Sequence, residues 1–184
     1  MIAFPTKKYK TVVCDPPWKY GRNWDTGSSK SCFSEKHNAV SVRMPYPEMT
    51  VGEIASLPVP LLFDENCDVY LWTTQHHIRD AFYLLDAWDL DYCQLLTWCK
   101  TPMGTGQGGL FTPTTEFCIL GRKGKMPLNK MRVDSTWWNL KRTGVHSKKP
   151  EQFQDIIESV SDSPRIELFA RRPRLGWDVW GDEV

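Results

Sequence analysis

An acid, two prolines and a tryptophan stand in a row at the end of a short apolar run, Thr11-Val12-Val13-Cys14-Asp15-Pro16-Pro17-Trp18. Each proline fixes its own φ and lacks a backbone N–H, so the Asp15 carboxylate and the Asp15 and Pro16 carbonyls form a rigid group of acceptors. Such a group receives N–H donors. Trp18 adds a flat aromatic face, and acceptors beside an aromatic plane suit a planar base that carries an exocyclic amine. Asp-Pro turns also end ordinary strands, so the tetrapeptide alone fits a structural turn equally well.

The other reactive side chains point less sharply. The six cysteines show neither a C-x-x-C pair nor zinc-ligand spacing to histidine, and several lie in strand-like apolar runs. They read as reduced, buried thiols, with no metal and no cysteine nucleophile implied. The run Gly104-Thr105-Gly106-Gln107-Gly108-Gly109 superficially resembles a phosphate loop, yet Phe111-Thr112-Pro113-Thr114 follows it and offers no helix start to a pyrophosphate. Between Arg122 and Lys149 nine basic residues face one acid, Asp134, with Trp137 and Trp138 among them. That mixture tracks a phosphate backbone and stacks on bases, and it is equally what a solvated face carries. Lysine plus arginine total 23 against 22 acids, a net charge of +1. A polybasic coat protein is excluded, and any charge-driven binding must be local.

Six short runs read as strands: 11–13, 69–73, 95–98, 117–120, 166–169 and 177–180. Between them, Ala81, Leu84, Leu85 and Trp88 recur at helical spacing, as do Phe153, Ile156, Ile157 and Val160 behind Pro150. Thr50 and Glu53 form a capping-box pattern ahead of a third, shorter helix. Strands alternating with amphipathic helices predict an α/β domain, a mostly parallel sheet with helices on both faces, whose chemistry lies beyond the carboxyl ends of the strands. The whole chain, 1–184, reads as one domain. No apolar run approaches a membrane span and residues 1–10 lack a secretory signal's apolar middle, so a cytoplasmic location is expected.

Asp15-Pro16-Pro17-Trp18 resembles motif IV of the N6-adenine methyltransferases with a DPPW motif, the family typified by the catalytic subunit of the eukaryotic mRNA N6-adenosine methyltransferase, which also has small prokaryotic and phage members. Further segments are similar in the family's order: Tyr46-Pro47-Glu48-Met49-Thr50, Val69-Tyr70-Leu71-Trp72, Thr97-Trp98-Cys99-Lys100, Thr115-Glu116-Phe117-Cys118-Ile119-Leu120-Gly121, His146-Ser147-Lys148-Lys149-Pro150, Ile166-Glu167-Leu168-Phe169-Ala170-Arg171 and Gly176-Trp177-Asp178-Val179-Trp180-Gly181. The set spans residues 11 to 183.

The resemblance implies a Rossmann-like fold in the permuted, beta-class order, with the catalytic tetrapeptide ahead of the segment that holds S-adenosylmethionine. It implies Asp15, Pro16, Pro17 and Trp18 as the catalytic set, and Asp15, Ser147, Lys149, Phe169, Arg171, Asp182 and Glu183 as cofactor contacts. Trp18, Tyr46, Lys123, Lys141 and Arg142 are the expected nucleic-acid contacts. The expected reaction is methyl transfer to adenine N6, with DNA favoured as the substrate. RNA as the polymer, or a catalytically silent nucleic-acid-binding subunit, are the alternatives. A homodimer or a heterodimer with a related subunit is the expected assembly.

Overall fold

The computed structural model describes residues 3–19, 47–101, 111–125, 132–141, 148–182 and 184. Among these residues seven strands, β1 (Tyr9–Cys14), β2 (Phe63–Thr73), β3 (Asp91–Thr101), β4 (Thr115–Lys123), β5 (Trp137–Lys141), β6 (Arg165–Leu168) and β7 (Trp177–Trp180), form one sheet in the order β5-β3-β4-β2-β1-β6-β7. β1 pairs in parallel with β2 and β6, β6 with β7, and β3 with β5. Only β4 runs against its neighbours β2 and β3. The expected mostly parallel α/β architecture is present.

Among the described residues three α-helices cover the sheet: α1 (Val51–Ala55), α2 (Ile78–Ala87) and α3 (Glu151–Val160). The Thr50 and Glu53 capping box forms in full at the start of α1. Pro150 stands one position earlier than a first-turn proline, as the N-cap of α3. Because successive strand residues point to opposite faces, the sheet separates two cores. On one face Val12, Cys14, Val69, Leu71, Ile119, Ile166 and Leu168 pack with Ile54 of α1 and Ala81, Leu84 and Leu85 of α2. On the other, Val13, Tyr70, Trp72, Trp98 and Cys118 pack with Phe153 and Ile157 of α3. Helices lie on both faces, as the alternation predicts. Among the described residues no helix is long and apolar enough to cross a membrane.

Two differences from the sequence expectation matter for the site. β2, β3 and β4 extend well beyond their apolar runs, because backbone pairing carries polar residues such as Asp68, Lys100 and Glu116 into the ladder. The stretch expected to be basic, aromatic surface also contains a strand. β5 forms where the edge of β3 offers a partner, with Trp98 Nε1 donating to Leu140 O at 2.8 Å.

Candidate active site

β1 lies between β2 and β6, where the chain leaves the sheet in two directions, and Asp15 follows its last residue. In parallel sheets this crevice beyond the strand ends is where ligands bind. The prolines hold the exit in a tight course: Trp18 N–H donates to Pro16 O at 2.8 Å, and Met49 N–H to Pro17 O at 2.8 Å. One lone pair of the Pro16 carbonyl is therefore used, and no donor among the described residues takes the second.

Trp18 departs from the expected open stacking face. It is only 4% exposed, its Nε1 donates to Trp72 O at 3.1 Å, and its ring stacks on His77 with centroids 5.1 Å apart and planes 10° from parallel. The indole belongs to the core on the α1 and α2 face. Its first role is to fix the Asp15-Pro16-Pro17 turn, because the apolar ring is stabilised more by burial than by waiting in solvent.

Lys149 Nζ lies 2.7 Å from both carboxylate oxygens of Asp15 and 3.4 Å from Glu116 Oε2, and Glu116 in turn pairs with Lys100. Asp15, Glu116, Lys149 and Lys100 are each 13–17% exposed, so solvent screens this alternating chain weakly. Burial alone would push Glu116 up, but Lys149 and Lys100 outweigh it and hold the carboxyl below its ordinary range. Burial likewise opposes the charge on Lys149, and Asp15 and Glu116 reverse that, leaving its ammonium firmly protonated. The Lys149 ammonium also sits 5.2 Å from the centroid of the Trp72 ring. Burial drives the thiols of Cys14 and Cys118 well above their ordinary range, so neither is a nucleophile.

On the α3 side of Asp15 a cavity of about 240 Å³ opens, lined by Val13, Trp72, Lys149, Glu167, Phe169 and Arg171 among others. Glu167 was not singled out as a site residue from the sequence. Burial first, then the charge of Asp15, raises its carboxyl above the ordinary range, and Gln154 Nε2 donates to it. Phe169 turns the chain at φ 58°, a left-handed conformation uncommon for a bulky residue. Trp180 packs edge-on against its ring, and Ala170 N–H bonds to Trp180 O at 3.0 Å. A Cβ on Gly181 would come within 2.6 Å of Ala170 O, so only glycine lets β7 end against this turn. Arg172 pairs with Glu151, and Arg174 pairs with Asp155 at 2.5 Å and Glu158 at 2.7 Å, fastening the wall to α3.

These residues fit a ligand that carries both an amino-acid end and a sulfonium. The Lys149 ammonium suits a carboxylate, and Asp15 and Glu167 supply negative charge for an ammonium or a sulfonium. Asp15, Lys149, Phe169 and Arg171 come together as expected. Asp182 is exposed. Ser147, Glu183, Tyr46 and Arg142 lie outside the described residues. Lys123 is a correction. It ends β4 opposite Cys67, near the start of β2, while Glu116 near the beginning of the same strand reaches the site. Seven positions of extended chain place Lys123 roughly 24 Å away, at the opposite edge of the sheet. Reversed strand direction, which residue types do not encode, moves it there.

A family model for MT-A70 matches residues 9–183. The chain belongs to the MT-A70 family. Similar proteins include the type II methyltransferase M.MunI of a Mycoplasma species, 31% identical over 98% of this chain and 79% of that protein. The human N(6)-adenine-specific methyltransferase METTL4 is 29% identical over 97% of this chain, and the human N(6)-adenosine-methyltransferase catalytic subunit METTL3 is 26% identical over 96%. This MT-A70 chain spans only 38% and 28% of those two human proteins. The match runs through every strand from Tyr9 onward, so the Asp15 turn and the Lys149 segment fall inside it.

Proposed function

We propose that this chain transfers a methyl group from S-adenosylmethionine to the exocyclic N6 of adenine in DNA. The family and the named relatives make it an adenine-N6 methyltransferase domain. The proposal adds the cofactor, the polymer and the role of each residue. The observation that carries it is the pairing of Asp15, at the end of the rigid proline turn, with Lys149 beside a cavity whose charges match the cofactor.

When bound, S-adenosylmethionine supplies an electrophilic methyl on a sulfonium. Lys149 holds the carboxylate of the methionine part, while Glu167 and Asp15 face its positive groups. Phe169 and Arg171 line the wall along which the nucleoside part extends. The target nitrogen is a poor nucleophile, because its lone pair is delocalised into the adenine ring. Asp15 and the free lone pair of Pro16 O accept its two N–H groups from outside the ring plane and favour a pyramidal nitrogen with a localised lone pair. The fixed carboxylate also stabilises the positive charge that grows on nitrogen until a proton is lost to solvent. Alignment in a desolvated site supplies much of the remaining acceleration.

The sheet divides the labour. The cavity lies on the α3 face, whereas Trp18, Met49 and His77 lie on the α1 and α2 side of Asp15. The target base, flipped out or unpaired, therefore approaches from the α1 and α2 side. DNA as the polymer rests on the type II methyltransferase relative, matched along most of both chains.

The test is transfer of labelled methyl from S-adenosylmethionine to matched single-stranded DNA, duplex DNA and RNA, with Asp15→Ala alongside and nucleoside analysis of the product. Label in N6-methyladenine of DNA that disappears in the variant supports the reading. Label confined to RNA replaces the polymer, and no label on any substrate removes the reaction.

A further inference from the structure

The residues of β5 alternate in exposure: Trp137, Asn139 and Lys141 face outward, while Trp138 and Leu140 pack into the core under α3. The outward three therefore lie on the α1 and α2 face, the side from which the target base approaches. Trp137 is 59% exposed, yet its backbone is fixed: its N–H bonds to Ser135 Oγ at 3.1 Å, and Thr97 N–H bonds to Thr136 O at 2.8 Å. A fixed backbone thus presents an aromatic ring to water.

Lys141 lies two pleats further along the same face, about 13 Å away. It is exposed and has no ion-pair partner among the described residues. Because β5 is parallel to β3, Lys141 and Thr101 end their strands together at the edge that carries Asp15. Of the other exposed aromatics among the described residues, Phe82, Tyr83 and Tyr92 stand in sequence among Asp80, Asp86, Asp89 and Asp91, where phosphate would be repelled, and Phe111 has no basic residue within ten positions. Charge singles out β5.

We infer that the outward face of β5, with Trp137 stacking on a base and Lys141 meeting a phosphate, is a platform for the single strand flanking the target adenine. The inference rests on the reading of this chain as a nucleic-acid methyltransferase and assigns where that substrate is gripped. Four strand spacings separate β5 from β1, about 19 Å. At 3.4 Å per stacked nucleotide that distance is about six nucleotides, and fewer for an extended strand. A target with two flanking nucleotides on each side cannot reach the platform, whereas one with about ten can.

The experiment measures binding by fluorescence anisotropy, and kcat/KM for methyl transfer, on an adenine-centred single-stranded 20-mer and 5-mer, using Trp137→Ala, Trp137→Phe and Lys141→Ala. Trp137→Ala should weaken 20-mer binding about 5- to 100-fold, with Trp137→Phe restoring most of it. Lys141→Ala should lower the salt slope of 20-mer binding by about 1. In both alanine variants the ratio of kcat/KM for the 20-mer to that for the 5-mer should fall. Unchanged 20-mer binding, or equal losses on both lengths, overturns the platform. So does a dimer in solution that Trp137→Ala dissociates, which would give the β5 edge to a second copy of the chain. A native chain that binds neither oligonucleotide and transfers no methyl group overturns the underlying reading as well.

Discussion

Lys149 Nζ is shared between two carboxylates from different parts of the sheet, 2.7 Å from Asp15 after β1 and 3.4 Å from Glu116 in β4. One ammonium thus joins the proline turn to the antiparallel strand. Lys100 holds the far side of Glu116, so the two acids are neutralised by two bases in a nearly dry site.

Replacing Lys149 with methionine leaves Asp15 and Glu116 facing one another without the shared cation. Cofactor affinity measured by calorimetry should fall at least about tenfold, the loss of one charge-assisted contact. The variant should also unfold more readily at neutral pH. Glu116 loses one of the two ammonium groups that offset its burial, so its carboxyl will bind a proton more readily in the folded variant, and the stability deficit should shrink as pH falls from 8 to 5. Thermal unfolding across that range reads the trend, and a variant as stable as the native chain at every pH would contradict it.

Asp15→Asn keeps the shape of the side chain but removes the charge and one acceptor. Methyl transfer should drop about 100- to 1,000-fold, the usual cost of losing a fixed group at a developing charge. Circular dichroism should be unchanged, because Lys149 retains Glu116. Transfer at the native rate would remove Asp15 from the mechanism.

Glu116 and Glu167 predict opposite acid responses. Glu116 is held below its ordinary range, so its contribution is present at neutral pH and is lost as pH falls through its folded-state value. Glu167 is held above its ordinary range, so the folded state is favoured at low pH and penalised once that carboxyl ionises. At pH 7, Glu116→Gln should therefore lower Tm, and Glu167→Gln should raise it by roughly 2–4 °C. The stabilised Glu167→Gln protein should bind S-adenosylmethionine less tightly, because the proposed cofactor placement sets Glu167 against a positive group. Calorimetry on the same samples separates the two effects.

Gly181→Ala should displace the Phe169–Ala170 turn, since the added carbon meets backbone atoms and not a yielding side chain. A loss of about 1–3 kcal/mol in urea unfolding is expected, together with weaker cofactor binding. Retained affinity in this variant would show that the turn does not shape the cavity.

Much of this site is legible because its residues are neighbours in the chain. Asp15 through Trp18 carry their chemistry within four positions, and Lys149 stands just ahead of the amphipathic pattern of α3. What is not legible depends on partners brought together by the sheet. Glu116 reads as one acid in an apolar strand until β3 and α3 bring Lys100 and Lys149 to it. Lys123 reads as part of the same basic stretch as Lys141, yet the reversal of β4 sends it to the far edge. The face of Trp18 looks available in sequence because nothing local announces His77, 59 positions later, as its stacking partner.

The placement of β1 has a consequence for how the protein is made. Its first neighbour, β2, ends at Thr73, but its second, β6, is complete only at Leu168. At 5–20 residues per second a ribosome needs about 5 to 19 s to cover that interval. Throughout it, Val12, Val13 and Cys14, each at most 2% exposed in the finished sheet, form an apolar strand with one open edge. Such an edge is a template for pairing with other chains, so a newborn copy is most vulnerable to aggregation before its last two strands emerge. The same late arrival of Lys149 keeps Asp15 without its counter-charge until the segment ahead of α3 has been synthesised, so completion of the Asp15–Lys149 pair and closure of the sheet come together.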